Sequence, residues 1–233
     1  MNPDFNANVA ISPVSVVSRF LSRVYGWMAA GLVVTALVAG ITVTSPAVLQ
    51  FVFGTRFVFF GLVIGELALV AWLSGLIGKM SASTAAIVFL AYSALNGLTL
   101  SVVFLAYTKE SIASTFVVSA ATFGAMSLYG ATTKRSLEGL GSFCLVGFVG
   151  VLIASVVYIF WPSGMLNFLI GCVGVIVFVG LTAYHTARLK RMAETIEVDS
   201  DAGRRGAIVG ALALYLDFIN LFLMLLRLFG RRR

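Results

Sequence analysis

Residues 141–187 read GSFCLVGFVGVLIASVVYIFWPSGMLNFLIGCVGVIVFVGLTAYHTA, with no Lys, Arg, Asp or Glu in the whole stretch. A Pro-Ser-Gly break at 162–164 divides it into two runs, 141–161 and 165–187. At a rise of about 1.5 Å per residue, each run as a helix is long enough to cross about 30 Å of hydrocarbon. Two such runs joined by so short a break predict a pair of antiparallel transmembrane helices.

The same pattern extends outward in both directions. Further apolar runs occupy about 24–44, 56–78, 84–107, 112–132 and 206–229. The expectation is an all-α integral membrane protein with seven transmembrane helices and almost no soluble part. Composition agrees. Apolar residues are 60% of the 233 positions and charged residues 11%, against about 25% charged in soluble domains. A soluble chain of this size could not cover so much apolar surface. Residues 1–18 are polar to mixed and read as a short flexible head, residues 19–230 as a single seven-helix domain, and 231–233 as a basic tail. No cleavable signal is expected, since the first run is too long for one and lacks a cleavage pattern.

The formal charge of +7 comes from basic residues at the ends of apolar runs, the pattern of a membrane protein rather than of a nucleic-acid binder. For seven spans, one side collects Arg19, Arg23, Lys79, Lys134, Arg135, Arg188, Lys190, Arg191, Arg204 and Arg205. The other side holds Arg56, Lys109, Arg227 and the three tail arginines. The bias of the inter-helix loops predicts a cytoplasmic N-terminus. The basic tail runs against that bias, and a final segment that re-enters and returns is the competing arrangement. The segment from Arg188 to Arg205 is the one connection that reads as a real loop. Small residues four apart, Gly61 and Gly65, Ser93, Gly97 and Ser101, and Gly206 and Gly210, predict close helix approaches. Cys144 and Cys172 both lie inside apolar runs and read as buried thiols.

The chain has nine acidic residues, of which two, Glu66 and Asp217, fall inside apolar runs. A charge at mid-membrane is costly, so each is a functional candidate; the competing reading is a protonated carboxyl joining two helices. His185, the only histidine, stands late in the sixth run, where a structural hydrogen bond is the ordinary role. Catalysis is not expected. There is no nucleophile motif near His185, no HExxH and no phosphate-binding glycine loop, and no cofactor is implied.

Two segments are more specific: GLTAYHTARLKRM at 180–192 and ALALYLDFINLFLMLLRLFG at 211–230. With RVYGWMAAGLVVTALVA at 23–39 and GELALVAWLSGLIGKMS at 65–81, they resemble the Bax inhibitor-1 family over about residues 18–230. The resemblance implies six helices wrapped around a central seventh, and a pH-sensitive Ca²⁺ leak channel in the bacterial inner (plasma) membrane. It also implies a possible partner, since a bacterial member modulates a membrane protease. In the family, an aspartate late in span six and another in span seven form a proton sensor and latch, and an acid in span two lies on the ion path. Asp217 and Glu66 match the second and third of these positions. Tyr184-His185-Thr186 stands where the family has Tyr-Asp-Thr, so the carboxylate pair is replaced by His185 and Asp217. A late span-two basic residue of some relatives is also missing, Leu76 and Ile77 being apolar. Asn96 and Asn220 could add oxygen ligands, but a dehydrated Ca²⁺ cage is not expected, and a hydrated cation passing weakly is. Three functions stay open at this level: a Ca²⁺ or other cation leak, a non-conducting regulator of a membrane protein such as a protease, and a proton-coupled transporter.

Overall fold

A computed structural model describes residues 13–76 and 80–233. The expected head through residue 12, the end of the second run at 77–78, and Lys79 lie outside the described residues. Among those described the chain folds into eight helices: α1 (Pro13–Thr44), α2 (Pro46–Phe53), α3 (Arg56–Leu76), α4 (Ala82–Ala106), α5 (Lys109–Thr132), α6 (Glu138–Phe160), α7 (Gly164–Thr195) and α8 (Asp201–Phe229). All except α2 are long and apolar enough to cross a membrane, which is the seven-span fold expected. Side chains cap three of the starts: Ser81, Thr108 and Ser200 accept from the backbone N–H of Thr84, Ser111 and Gly203.

Several boundaries differ from the sequence reading. The first helix begins at Pro13, so residues 13–18 are helical rather than part of a flexible head. Its buried face explains the extension: Phe20, Val24 and Met28 recur at helical spacing, and Val16 and Val17 continue that stripe. The first connection contains a helix of its own, α2, with Pro46 at its start. The segment from Arg188 to Arg205 is mostly helix, leaving only 196–200 as a link. Its Arg, Leu, Lys, Met, Ala and Glu are good helix formers, so α7 continues past its apolar part.

α8 packs against α1, α4, α5 and α7; α3 joins the bundle mainly through α4, and α6 through α7. Direct packing of α8 on four helices falls short of a full ring of six. At its middle Tyr215 is wholly buried, with the rings of Phe89 and Tyr92 edge-on to it, each with its centroid 5.8 Å away. The Tyr215 hydroxyl lies 2.7 Å from that of Thr35, which reaches the carbonyls of Gly31 and Ser93 at 2.9 Å. Buried hydroxyls joined this way tie α1, α4 and α8 together without exposing a polar atom to lipid.

The small-residue pairs divide. A Cβ on Gly97 would come within 2.7 Å of the Thr35 carbonyl oxygen, and one on Gly210 within 2.5 Å of Leu189, so these positions mark close approaches. At Gly206 the nearest atom is Met192 Cε, 3.4 Å away. Among the described residues, nothing lies within 4 Å of a Cβ on Gly61 or Gly65, and the expected close packing is absent there. Cys144 is buried, whereas Cys172 is only partly so, because α7 leaves part of its surface outside the bundle.

The two ends of the bundle are tied together differently. At one end Arg23 donates to the Val198 carbonyl at 2.6 Å and to Asp199 at 2.9 Å, Arg19 lies 3.5 Å from Asp199, and Arg191 holds Glu138 at 3.0 Å. At the other, the tail pairs with the α4–α5 turn: Thr108 N–H donates to the Arg231 carbonyl and Arg233 N–H to that of Ala106. α8 is unbroken between these ends, so the final segment crosses the bundle rather than turning back.

Candidate functional site

α7 and α8 run antiparallel and in contact, which brings the last turns of one beside the middle of the other. Asp217 is almost completely buried on α8, and His185 on α7 is partly buried. The His185 Nδ1 lies 2.6 Å from Asp217 Oδ2. With a neutral imidazole and an ionised carboxyl, Nδ1–H donates to the oxygen; with the ring protonated, the same contact is an ion pair. In lipid an isolated charge is costly, and a partner at this distance offsets much of that cost. The rings of Tyr184 and His185 lie 5.3 Å apart.

Glu66 projects from α3 toward α4. Thr99 Oγ1 is 2.9 Å from Glu66 Oε1 and 3.0 Å from the Asn96 carbonyl. A hydroxyl has one hydrogen, so Thr99 can serve only one of those acceptors at a time.

Glu66, His185 and Asp217 face a common cavity of about 580 Å³ between α3, α4, α6, α7 and α8. Most of the wall is apolar, from residues such as Val63, Leu145, Phe148 and Leu212, with Ser74, Tyr92 and Asn220 as further polar members. The cavity stops at Val63, Leu152 and Asn220, each about two turns from the tail-side end of its helix. Leu67 and Leu152 line it and are nonetheless exposed, so the α3–α6 side of the chamber adjoins lipid.

The sequence-derived candidates are therefore brought together around one chamber, with His185 and Asp217 in direct contact and Glu66 on the α3 wall. Of the two asparagines, Asn220 lines the chamber while donating to the Leu216 carbonyl. Asn96 is buried elsewhere and donates to the Tyr92 hydroxyl at 3.1 Å. Thr99 and Tyr92 were not singled out from sequence. The signal was present: Tyr92, Asn96 and Thr99 follow i, i+4, i+7 spacing and form a polar stripe along α4. Among the described residues no three His, Cys, Asp or Glu side chains converge as metal ligands. Ca²⁺ takes six to eight oxygens when bound directly. Two separated carboxylates in a roomy chamber suit an ion that keeps its water.

The family described as "Inhibitor of apoptosis-promoting Bax1" matches residues 17–233. The chain is 51% identical to inner membrane protein YbhL of Escherichia coli over 96% of each chain. It is 42% identical to a Borreliella burgdorferi protein, covering 94% of this chain and 95% of that one. A Rickettsia prowazekii protein is 40% identical over 92% of this chain and 90% of its own length. Together with seven apolar spans and the 180–192 and 211–230 segments, these matches show that the chain belongs to the Bax inhibitor-1 family.

Proposed function

We propose that this protein is a pH-sensitive cation leak of the inner membrane, passing Ca²⁺ or another small cation through the chamber described above. The observation that carries the reading is that chamber itself: the two acids within apolar runs and the single histidine all face it. Glu66 supplies negative charge along the path, as in cation-selective pores lined by carboxylates. The His185–Asp217 contact is the latch, with His185 in the place of the family's first aspartate. The charge bias of the loops gives a cytoplasmic N-terminus, which makes the Arg19, Arg23 and Arg205 end the cytoplasmic one. On this reading the chain is not an enzyme and needs no cofactor.

Protonation of His185 would convert its hydrogen bond to Asp217 into an ion pair and tighten the latch. Tyr184 and Arg188 on α7, Arg205 on α8, Glu66 on α3, Tyr92 on α4 and Cys144 on α6 are titratable or charged groups around the chamber or the ring. Pure protein in liposomes should pass Ca²⁺ with a flux that falls as pH drops from about 8 to about 5. His185→Asp should change the shape of that profile, Asp217→Asn should remove most of the pH dependence, and Glu66→Gln should lower flux with little loss of folded protein. Identical profiles for the native chain and His185→Asp would remove His185 from the latch. No flux at any pH would sink the leak.

The closed tail-side end of the chamber favours a second reading, a non-conducting regulator that binds another membrane protein, such as a protease. Co-purification of a membrane protease with a non-conducting chain would support it.

A further inference from the structure

A second cavity, of about 320 Å³, lies between α7 and α8 at the end that holds Arg23 and Arg205, and adjoins the proposed ion chamber, since His185, Val209 and Ala213 line both. Its walls are apolar: Leu189 and Met192 from α7, and Ala202, Gly206 and Val209 from α8. Two arginines, Arg188 and Arg205, complete it, and among the described residues no carboxylate lines it.

The two arginines are not equivalent. Arg205 Nη1 is committed to Asp201 at 2.7 Å and to the Met80 carbonyl at 2.9 Å. Arg188 is exposed and has no ion-pair partner among the described residues. The acids paired at this end are held by other cations: Asp199 by Arg23, Glu138 by Arg191 and Asp201 by Arg205. The groove thus combines an apolar floor with one uncompensated guanidinium at its mouth.

Its depth is informative. Arg188 is the first charged residue after the long apolar part of α7, and Gly206 the first residue after the charged start of α8. The cavity straddles the boundary between hydrocarbon and headgroup layers, where arginines meet phosphates. A ligand matching all of this has an acyl chain and a single negative phosphate, and guanidinium pairs with phosphate by a two-point fork.

We infer that the α7–α8 groove seats an anionic phospholipid, its acyl chain against Leu189, Met192 and Val209 and its phosphodiester on Arg188. The inference holds whether or not the chain conducts.

Native mass spectrometry of the full chain in mild detergent tests it, with dioleoyl phosphatidylglycerol and dioleoyl phosphatidylcholine offered together. The wild type should retain the anionic lipid with about fivefold preference, the size expected of one arginine at a membrane surface. Arg188→Gln should bring the two lipids close to equal, while Arg188→Lys should keep part of the preference. Gly206→Leu should fill the floor and lower retention of both lipids, and Gly206→Ala, whose Cβ meets nothing closer than 3.4 Å, should do so to a smaller extent. Arg204→Gln, a change of the same charge outside the groove, should leave the preference intact. Equal retention of the two lipids by the wild type would overturn the inference, as would an unchanged preference in Arg188→Gln. An equal loss in Arg204→Gln would reduce the effect to general surface charge. Displacement of the lipid by glycerol phosphate at matching concentration would make the site one for a free anion.

Discussion

The most apolar stretches of α3 and α8 have the same mean hydropathy, yet 67% of the α8 stretch is buried inside the protein and only 6% of the α3 stretch. On α8, Tyr215 and Leu214 are wholly enclosed, and the α7 glycines Gly171 and Gly174 sit against Leu228 and Met224. On α3, Phe57, Phe60, Ile64 and Leu67 face outward, and Gly61, Gly65 and Gly75 meet nothing. Apolarity therefore reports insertion in a bilayer and says nothing about which neighbour a helix has, because lipid tails are as apolar as leucine. Energetically the two helices differ sharply. α8 is held by interlocking side chains; α3 is held by α4, by Leu73, and by the Thr99–Glu66 hydrogen bond. If one wall of the chamber shifts, α3 has little to break.

Substitutions sharpen this contrast. The largest effect should come from Gly97→Ala in the packed interior, where the new methyl meets the Thr35 carbonyl oxygen at 2.7 Å and Val38 Cβ at 2.8 Å. Backbone cannot move aside as a side chain can, so a loss of about 1–3 kcal/mol is expected in unfolding from detergent. Next is Tyr215→Phe, which deletes the hydroxyl facing Thr35 and should cost about 1 kcal/mol by the same measurement. An unchanged unfolding temperature would show that this contact contributes nothing.

Asp199→Asn should do less, because its carboxylate is exposed. A hydrogen bond from Arg23, and then the charges of Arg23, Arg19 and Arg204, hold the Asp199 carboxyl below the usual carboxylate range. A carboxyl whose folded pKa is depressed stabilises the fold above its unfolded value near 3.9, and that contribution disappears as pH falls through the lower folded value. The difference between wild type and Asp199→Asn should thus be full at pH 7, shrink with added salt, and vanish in strong acid. A difference that persists in high salt would mean the substitution acts by packing. The smallest effect is expected at Gly65→Ala on α3, neutral or stabilising by roughly 0.5–1 kcal/mol through helix propensity. A clear loss there would reveal a neighbour packed on α3.

The contrast also separates what was legible in the sequence from what was not. Seven spans could be read because each needs only length and apolarity. The helical start of α1 and the charged continuation of α7 escaped because, beyond the bilayer, apolar runs end while helices do not. Ser200, with Asp201 in the first turn, marks where α8 begins, and that cue lay in the segment read as loop. The small-residue rule predicted close approach at Gly65 as readily as at Gly97, since spacing specifies a ridge without specifying what it faces. Glu66 and Asp217 stood out by the cost of placing acids in lipid. Their partners did not: Thr99 is an ordinary residue in a span until the fold turns it toward Glu66, and contact between His185 and Asp217 depends on the register of two antiparallel helices.

The pairing of the tail with the α4–α5 turn has a practical consequence. Arg231 is fixed at both its N–H, which donates to Ser111 Oγ, and its carbonyl, and Arg233 N–H is held by Ala106. A reporter or affinity handle inserted directly after Arg233 would start from a peptide already engaged on both sides of that turn. A long flexible spacer keeps the handle from prying the turn apart, and with a short one the label would itself be a perturbation of the α4–α5 end.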